Sequence, residues 1–320
     1  MRSTTLSTLT LAAALALGAC GDERITAPPT EPAVGPEFAK GGLGAKGGKP
    51  SNRIVYTHTD SNQYIDIYTM NPDGSNVVRL LPFSGYSNRS PRWTADHNRI
   101  VFTSFRNDIE QIFIMKADGS NVVQLTNTGC PDRNPAPSPD GTRIVFQRDC
   151  DGGGIFVINM DGSNPIQLTF THTDREPSWS PDGSKIVFSG KKPADPSLEA
   201  ILQMNVDGSN PVMIFQCGAT RCGAPMYSPD GTRLAVWVNR YEGEIFVQDV
   251  NNPGKVVELA HLGPGSEFAA AWSPDGTRIV FTAGPYGSDI ELYSANSADG
   301  SGLTKLTSLA DADAAPSWHR

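Results

Sequence analysis

Residues 177–188 read Pro-Ser-Trp-Ser-Pro-Asp-Gly-Ser-Lys-Ile-Val-Phe, and this stretch decides the fold. Pro-Asp-Gly is a tight turn, because glycine accepts the positive φ that short hairpins demand and aspartate bonds its own backbone nearby. The stretch recurs along the chain. A basic residue followed by an apolar triplet stands at Arg53-Ile-Val-Tyr, Arg99-Ile-Val-Phe, Arg143-Ile-Val-Phe, Lys185-Ile-Val-Phe, Arg233-Leu-Ala-Val and Arg278-Ile-Val-Phe, at intervals of 46, 44, 42, 48 and 45. Ser-Pro-Asp-Gly precedes four of these, from Ser138, Ser180, Ser228 and Ser273, and Thr94-Ala-Asp-His-Asn precedes one. A second turn recurs as Asp-Gly-Ser at Asp73, Asp118, Asp161, Asp207 and Asp299, with Asn251-Asn-Pro-Gly in its place once.

Each unit reads as four short strands, a to d. In residues 171–216, Glu176-Pro-Ser-Trp is strand a, Lys185-Ile-Val-Phe-Ser strand b, Ala200-Ile-Leu-Gln-Met strand c and Val212-Met-Ile-Phe strand d. Strands b and c are apolar on both sides, as in Ile100-Val-Phe and Ile112-Phe-Ile-Met, so both faces must be covered. Blades arranged radially cover both; a single barrel or a two-sheet sandwich leaves one face wet. Four strands per unit of about 45 residues therefore predict an all-β fold, a six-bladed β-propeller of four-stranded antiparallel blades. The first unit starts at strand b, Asn52 to Thr57, and Ala315 to Arg320 is a strand a with no unit after it. Pairing the two closes the ring with the C-terminal strand and removes both free inner edges.

Outward from the repeats, residues 1–19 run from Arg2 through an apolar stretch, Leu9 to Leu17, into Leu17-Gly-Ala-Cys20. The run is too short to span a bilayer and reads as a processed signal. Its end resembles the lipobox of bacterial lipoproteins, which implies lipidation of Cys20 and a lipid anchor. Gly21 follows where inner-membrane retention signals have Asp, so the expected location is the outer membrane, facing the periplasm or the cell surface. Residues 20–50, rich in Gly and Pro, read as a flexible tether, and 51–320 as the propeller.

The chain carries 26 basic and 34 acidic side chains; removing the leader takes away Arg2 alone. A general affinity for nucleic acid is excluded, since neutralising phosphates needs clustered Lys and Arg. Four further cysteines, Cys130, Cys150, Cys217 and Cys222, form an even set in an exported chain. They predict disulfides 130–150 and 217–222, against a metal site that would want CxxC spacing. A monomer is expected.

The consensus around 177–188, with its Asp-Gly-Ser-Asn turns, resembles the WD-like repeat of the TolB propeller over nearly all of 51–320. The resemblance implies the fold and binding of envelope proteins at the propeller mouth. It does not extend to the separate N-terminal α/β domain of TolB, in whose place this chain has the tether.

In such blades the a–b and c–d turns share one face of the disc, and the b–c and d–a loops share the other. The second face varies from unit to unit, which makes it the expected recognition face for an envelope protein or a glycan. Tyr64, Phe105, Tyr241, Phe268 and Tyr286 are its aromatics. Three residues ahead of the strand-a proline position stand Asn88, Asp132, Asp174, Cys222, Glu267 and Asp313, followed in three blades by Arg89, Arg133 and Arg175. If strand a lines the channel, these ring its mouth and predict a site for calcium or a charged partner segment. The competing reading has each acid capping its own turn. No nucleophile elbow, zinc-protease helix or phosphate loop occurs, so no catalytic residue is assigned. The alternative function is a propeller lyase or glycan-acting hydrolase using channel-mouth acids and His172, which requires His172, Asp174 and Glu267 to converge.

Overall fold

The computed structural model describes residues 52–60, 62–81, 85–106, 108–192, 194–218, 220–239, 244–259, 269–284, 290–308 and 312–318. Six four-stranded antiparallel sheets are present, each ordered a-b-c-d from the inside out. The b-strand triplets at 54–56, 100–102, 144–146, 186–188, 234–236 and 279–281 are all at most 1% exposed. Both faces of every sheet are therefore covered, as their unbroken apolar sequence requires.

Closure occurs within blade 1. Its inner strand is Ala312–Trp318, paired antiparallel with Ile54–Thr59 so that Ile54 faces Trp318 and His58 faces Asp313. The Trp318 indole also donates to Asn52 Oδ1 at 2.7 Å.

The a–b turns share one hydrogen-bond pattern. Ser180 Oγ donates to Asp182 Oδ1 at 2.5 Å and accepts from the Lys185 amide at 2.9 Å. Asp182 also accepts from the Ser184 amide at 3.0 Å, and these donors hold its carboxyl down at about 2. Thr94 and Asp96 reproduce the pattern in blade 2.

The c–d turns do more than reverse the chain. Gly119, at φ +85°, lies on the Leu80 carbonyl of the preceding blade so closely that a Cβ could not be added. Gly74 lies likewise on Leu306, Gly162 on Leu125, Gly208 on Leu168 and Gly300 on Leu259. Five of the six blade junctions thus use one contact. At the junction of blades 4 and 5 the turn is Asn251-Asn-Pro-Gly254, and a Cβ on Gly254 would meet only Asn252 Oδ1, at 3.7 Å. There Gln248 Nε2 donates to Ile214 O at 3.0 Å, and Cys217–Cys222 bridges the loop between the blades. The second disulfide, Cys130–Cys150, joins the loop leading into blade 3 to that blade's b–c loop. Both pairings are those expected from the sequence.

Blade 4 departs from the short-strand reading. Its strands b and c, Lys185–Lys192 and Asp195–Asn205, extend into the stretch between Ser189 and Ala200 that the sequence reading leaves between the two strands. The ladder continues through Lys191 opposite Glu199, and Lys192 opposite Asp195 closes the hairpin.

Candidate functional site

Strand a of each blade carries the residues that could face the channel, and a bulge decides which ones do. In blades 2 to 5 the a–b register shifts between Arg89 and Arg92, Arg133 and Ala136, Arg175 and Ser178, and Gly223 and Met226. Blade 1 shifts at the matching place, between Ala314 and Ser317. The first bulged residue has positive φ in all five: Ser90 +49°, Asn134 +51°, Glu176 +54°, Ala224 +46° and Ala315 +50°. A proline follows each one. A β-bulge leaves the ladder and re-aims its side chain, so these residues line the channel instead of the sheet face.

The residues predicted to ring the mouth sit ahead of the bulge, and the described ones are buried within their blades or, for Asn88, against the preceding blade. Asn88, Asp132 and Asp313 are fully buried, and Asp174 is 6% exposed. Asp132 accepts from Arg148 Nε at 2.7 Å and Nη2 at 3.0 Å, Arg148 being its cross-strand partner. Asp313 Oδ1 lies 2.8 Å from His58 Nδ1, again directly across the ladder. Asn88 donates to Asp66 Oδ1 at 3.1 Å and accepts from Ser104 Oγ at 2.7 Å. Cys222 is in its disulfide, and Glu267 lies outside the described residues. The mouth ring is corrected on this point: a residue that stays in the ladder stands on the sheet face, where the next blade covers it.

Asp174 has no cation across the ladder. Its position faces Gly190, and a Cβ on that glycine would stand 2.6 Å from Asp174 Oδ1. The carboxylate occupies the space that a side chain takes elsewhere. Burial raises the Asp174 carboxyl to about 6, pulled back only in part by the Thr169 hydroxyl and the charge of Arg175. Burial also raises Asp132 and Asp313, with Arg148 and His58 acting against it.

The three arginines part company. Arg89 is exposed. Arg133 pairs with Glu110 of blade 2 and, at 2.6 Å, with Asp149 of its own blade. Arg175 reaches Glu199 at 2.8 Å, and Lys191 shares that carboxylate at 2.8 Å. Among the described residues no three His, Cys, Asp or Glu side chains gather to hold a metal ion. His172 is exposed and Asp174 buried, with no hydrogen bond between them, so the described part of the His172–Asp174–Glu267 set does not converge.

The channel itself is a cavity of about 200 Å³, and its wall is stitched from blade to blade. Ser90 Oγ donates to Asn134 Oδ1 at 2.8 Å, and Asn134 Nδ2 to Gln147 Oε1 at 2.9 Å. The Glu176 amide donates to the same Gln147 oxygen, and the Ala224 amide to Glu176 Oε2 at 2.7 Å. Arg92 Nη1 donates to the Pro316 carbonyl of blade 1 at 2.8 Å. Desolvation lowers the Arg92 guanidinium to about 10. The sequence reading passed over these positions. The available signal was that the residue before each strand-a proline changes (Ser, Asn, Glu, Ala, Ala) while its surroundings repeat.

On the loop face Tyr64 and Phe105 are 52% and 44% exposed. Tyr241, Phe268 and Tyr286 lie outside the described residues. Two aromatics join the set: Tyr86 at 39% and Phe170 at 78%. Arg106 lies over the Tyr86 ring, 4.6 Å from its centroid, and over Phe113 at 4.4 Å. Phe170, like Tyr86, stands in a d–a segment, whereas four of the five aromatics named from the sequence, Tyr64, Phe105, Tyr241 and Tyr286, stand in b–c segments.

A closed ring of six four-stranded blades around a polar-walled channel defines a six-bladed β-propeller with a variable loop face. Residues 40–205 match the TolB beta propeller domain, more than half of the chain. The chain belongs to that family.

Individual relatives match shorter stretches. The chain is 48% identical over 48 residues to the Protein TolB homolog of Chlorobaculum tepidum, 15% of this chain and 11% of that protein. It is 36% identical over 85 residues to an uncharacterized protein of Agrobacterium fabrum, 27% of this chain and 29% of that one. The chain thus spans less than a third of the length of these curated relatives. TolB from Acinetobacter baumannii superposes with a TM-score of 0.73 at 20% identity, over 85% of this chain and 67% of that one. An oligogalacturonate lyase in complex with manganese superposes at 0.54 and 13% identity, over 79% of this chain and 73% of that one. At these identities the likeness is one of fold.

Proposed function

We propose that this chain is an exported, lipid-anchored and non-catalytic binding module of the cell envelope, which takes a protein partner on the face formed by its b–c and d–a loops. One observation carries the reading. All four exposed large aromatics of the described residues, Tyr64, Tyr86, Phe105 and Phe170, lie at the b–c or d–a end of the blades. Aromatic rings and arginine are what interfaces favour at their energetic centres, the rings because they bury much area at little entropic cost and arginine because its planar fork stacks and bonds at once. Arg106, stacked on Tyr86, adds the second of those two residue types. Tyr64, Tyr86 and Phe105 fall on blades 1 and 2, so the contact centres there.

The commitments of the buried groups support a non-catalytic role. Asp132 is held by Arg148 and Asp313 by His58, both beneath the surface, and His172 stands exposed away from the buried Asp174. The likeness to an oligogalacturonate lyase, at 13% identity, is one of fold.

The test is a comparison of partner capture from solubilised envelope by the wild type and by a Tyr64→Ser, Tyr86→Ser, Phe105→Ser triple variant of equal melting temperature. A partner kept by the wild type and lost by the variant is the expected result; equal capture by both refutes the loop face. Labelling with an alkyne fatty acid, abolished in Cys20→Ala, tests the anchor.

A further inference from the structure

We propose that Arg92 makes the propeller channel a binding site for a carboxylate. The site is independent of the loop face, and its test uses no macromolecular partner. Arg92 lines the channel cavity beside Ser90 and Asn134. Its one hydrogen bond within the described residues, from Nη1 to Pro316 O, uses a neutral acceptor and one of the five N–H donors of a guanidinium. The remaining nitrogens are not among the buried polar atoms left without a partner, so they open on the cavity.

What points to a ligand is how little of Arg92 is engaged. Arg233 and Arg278 also lack a carboxylate, yet each spends its guanidinium on two or more neutral acceptors, Ser297 and Gly276 for Arg233 and Ser294 and Gly302 for Arg278, whereas Arg92 has one. Arg79 pairs with Asp66, Arg133 with Glu110 and Asp149, Arg148 with Asp132, and Arg175 with Glu199. Arg92 has no carboxylate among the described residues. Glu176, the acid in the same cavity, has one oxygen turned to the Ala224 amide and the Ser189 hydroxyl of its own side. A half-buried guanidinium without a counter-charge, its free nitrogens turned to a small cavity, is stabilised by an arriving anion. Its planar fork suits the two oxygens of a carboxylate, and about 200 Å³ admits a small carboxylic acid or one acidic side chain.

The competing role is purely structural, a tie from blade 2 to the ring-closing strand of blade 1. Arg92→Gln separates the two when its melting temperature stays near that of the wild type, since it removes the charge and the fork while keeping a neutral amide donor at the position. The purified full chain is titrated with sodium succinate at constant ionic strength, with sodium chloride as control. A second arm uses a capped Gly-Gly-Asp-Gly-Gly peptide. Binding is read by calorimetry and by melting temperature, which a ligand of the folded form raises with concentration.

The wild type is expected to respond saturably in at least one arm, and Arg92→Gln to bind at least about tenfold more weakly while melting within about 2 °C of wild type without ligand. A response to succinate assigns the site to a free small carboxylate. A response to the peptide alone assigns it to an acidic side chain of a partner. Should Arg92→Gln not fold, Arg92→Lys, which keeps the charge and loses the fork, is expected to weaken binding at least about threefold. No response beyond chloride in either arm, or an equal response in the variant, overturns the proposal.

Discussion

Blades 3 and 4 place the same residue, aspartate, at the head of the inner strand and solve its burial in opposite ways. Asp132 meets Arg148 across the ladder in a two-pronged ion pair. Asp174 meets Gly190 and lies where a side chain would be, its carboxyl raised to about 6. The chemistry of a repeated acid is therefore set by the residue facing it from strand b, sixteen positions on, and not by its place in the repeat. One blade holds a charge with its counter-charge; the other holds a carboxyl poised to take a proton.

The largest expected effect is on blade 3. Asp132→Asn leaves the Arg148 guanidinium, 15% exposed, with no carboxylate, at a cost of about 3 to 5 kcal/mol. Adding Arg148→Met to that variant should recover most of the loss. Denaturant unfolding of the two variants checks this, and a single-variant cost under about 1 kcal/mol would dissolve the contrast between the blades.

Blade 4 should reveal itself through pH. Because the folded-state carboxyl of Asp174 is raised to about 6, against about 3.9 when unfolded, the folded state binds the proton more tightly. The resulting stability is fully present below about pH 4 and is lost as pH rises through about 6. A two-unit shift corresponds to about 3 kcal/mol at most. In Asp174→Asn that part of the pH dependence should vanish; unfolding curves for wild type and variant that stay parallel from pH 4 to 7 would contradict it.

Filling the glycine should cost somewhat less. Gly190→Ala drives a methyl against Asp174 Oδ1 and is expected to destabilise by about 2 kcal/mol, as overpacking does. The same change in an Asp174→Ala background should cost clearly less, with Leu202 Cδ1 at 3.1 Å the remaining close neighbour, which a double-mutant cycle measures. The smallest effect belongs to Lys191→Met. Arg175 still faces Glu199 there, so the loss should stay under about 1 kcal/mol by thermal unfolding.

The sequence made the ring legible because its signals are local. Asp-Gly turns, triplets apolar on both sides and a strand a after the last unit each declare themselves within a few residues, and the disulfides followed from the even cysteine count in loops of one face. The site was less legible for a geometric reason. Whether a strand-a residue faces the channel or the sheet depends on a bulge that needs positive φ at Ser90, Asn134, Glu176, Ala224 and Ala315, residues that do not advertise that conformation. Reading the strand without its bulge pointed Asp132 and Asp313 into the channel and missed Arg92 and Glu176, which are there. Tyr64 and Phe105 were legible as loop aromatics because b–c loops differ visibly between units, whereas Tyr86 and Phe170 sit in d–a segments, on which the sequence reading drew only for Phe268.

The glycine contact between blades bears on where this chain could be cut. Gly74 on Leu306 joins the last blade to the first by the same means as Gly119 on Leu80 joins the first to the second, and Trp318 and Asn52 are already hydrogen-bonded neighbours. The ring thus has no privileged starting blade. A circular permutant that links the present ends through a short spacer and opens between blades 4 and 5, the junction without the glycine contact, should assemble the same disc. Its order of synthesis would be changed and its geometry kept.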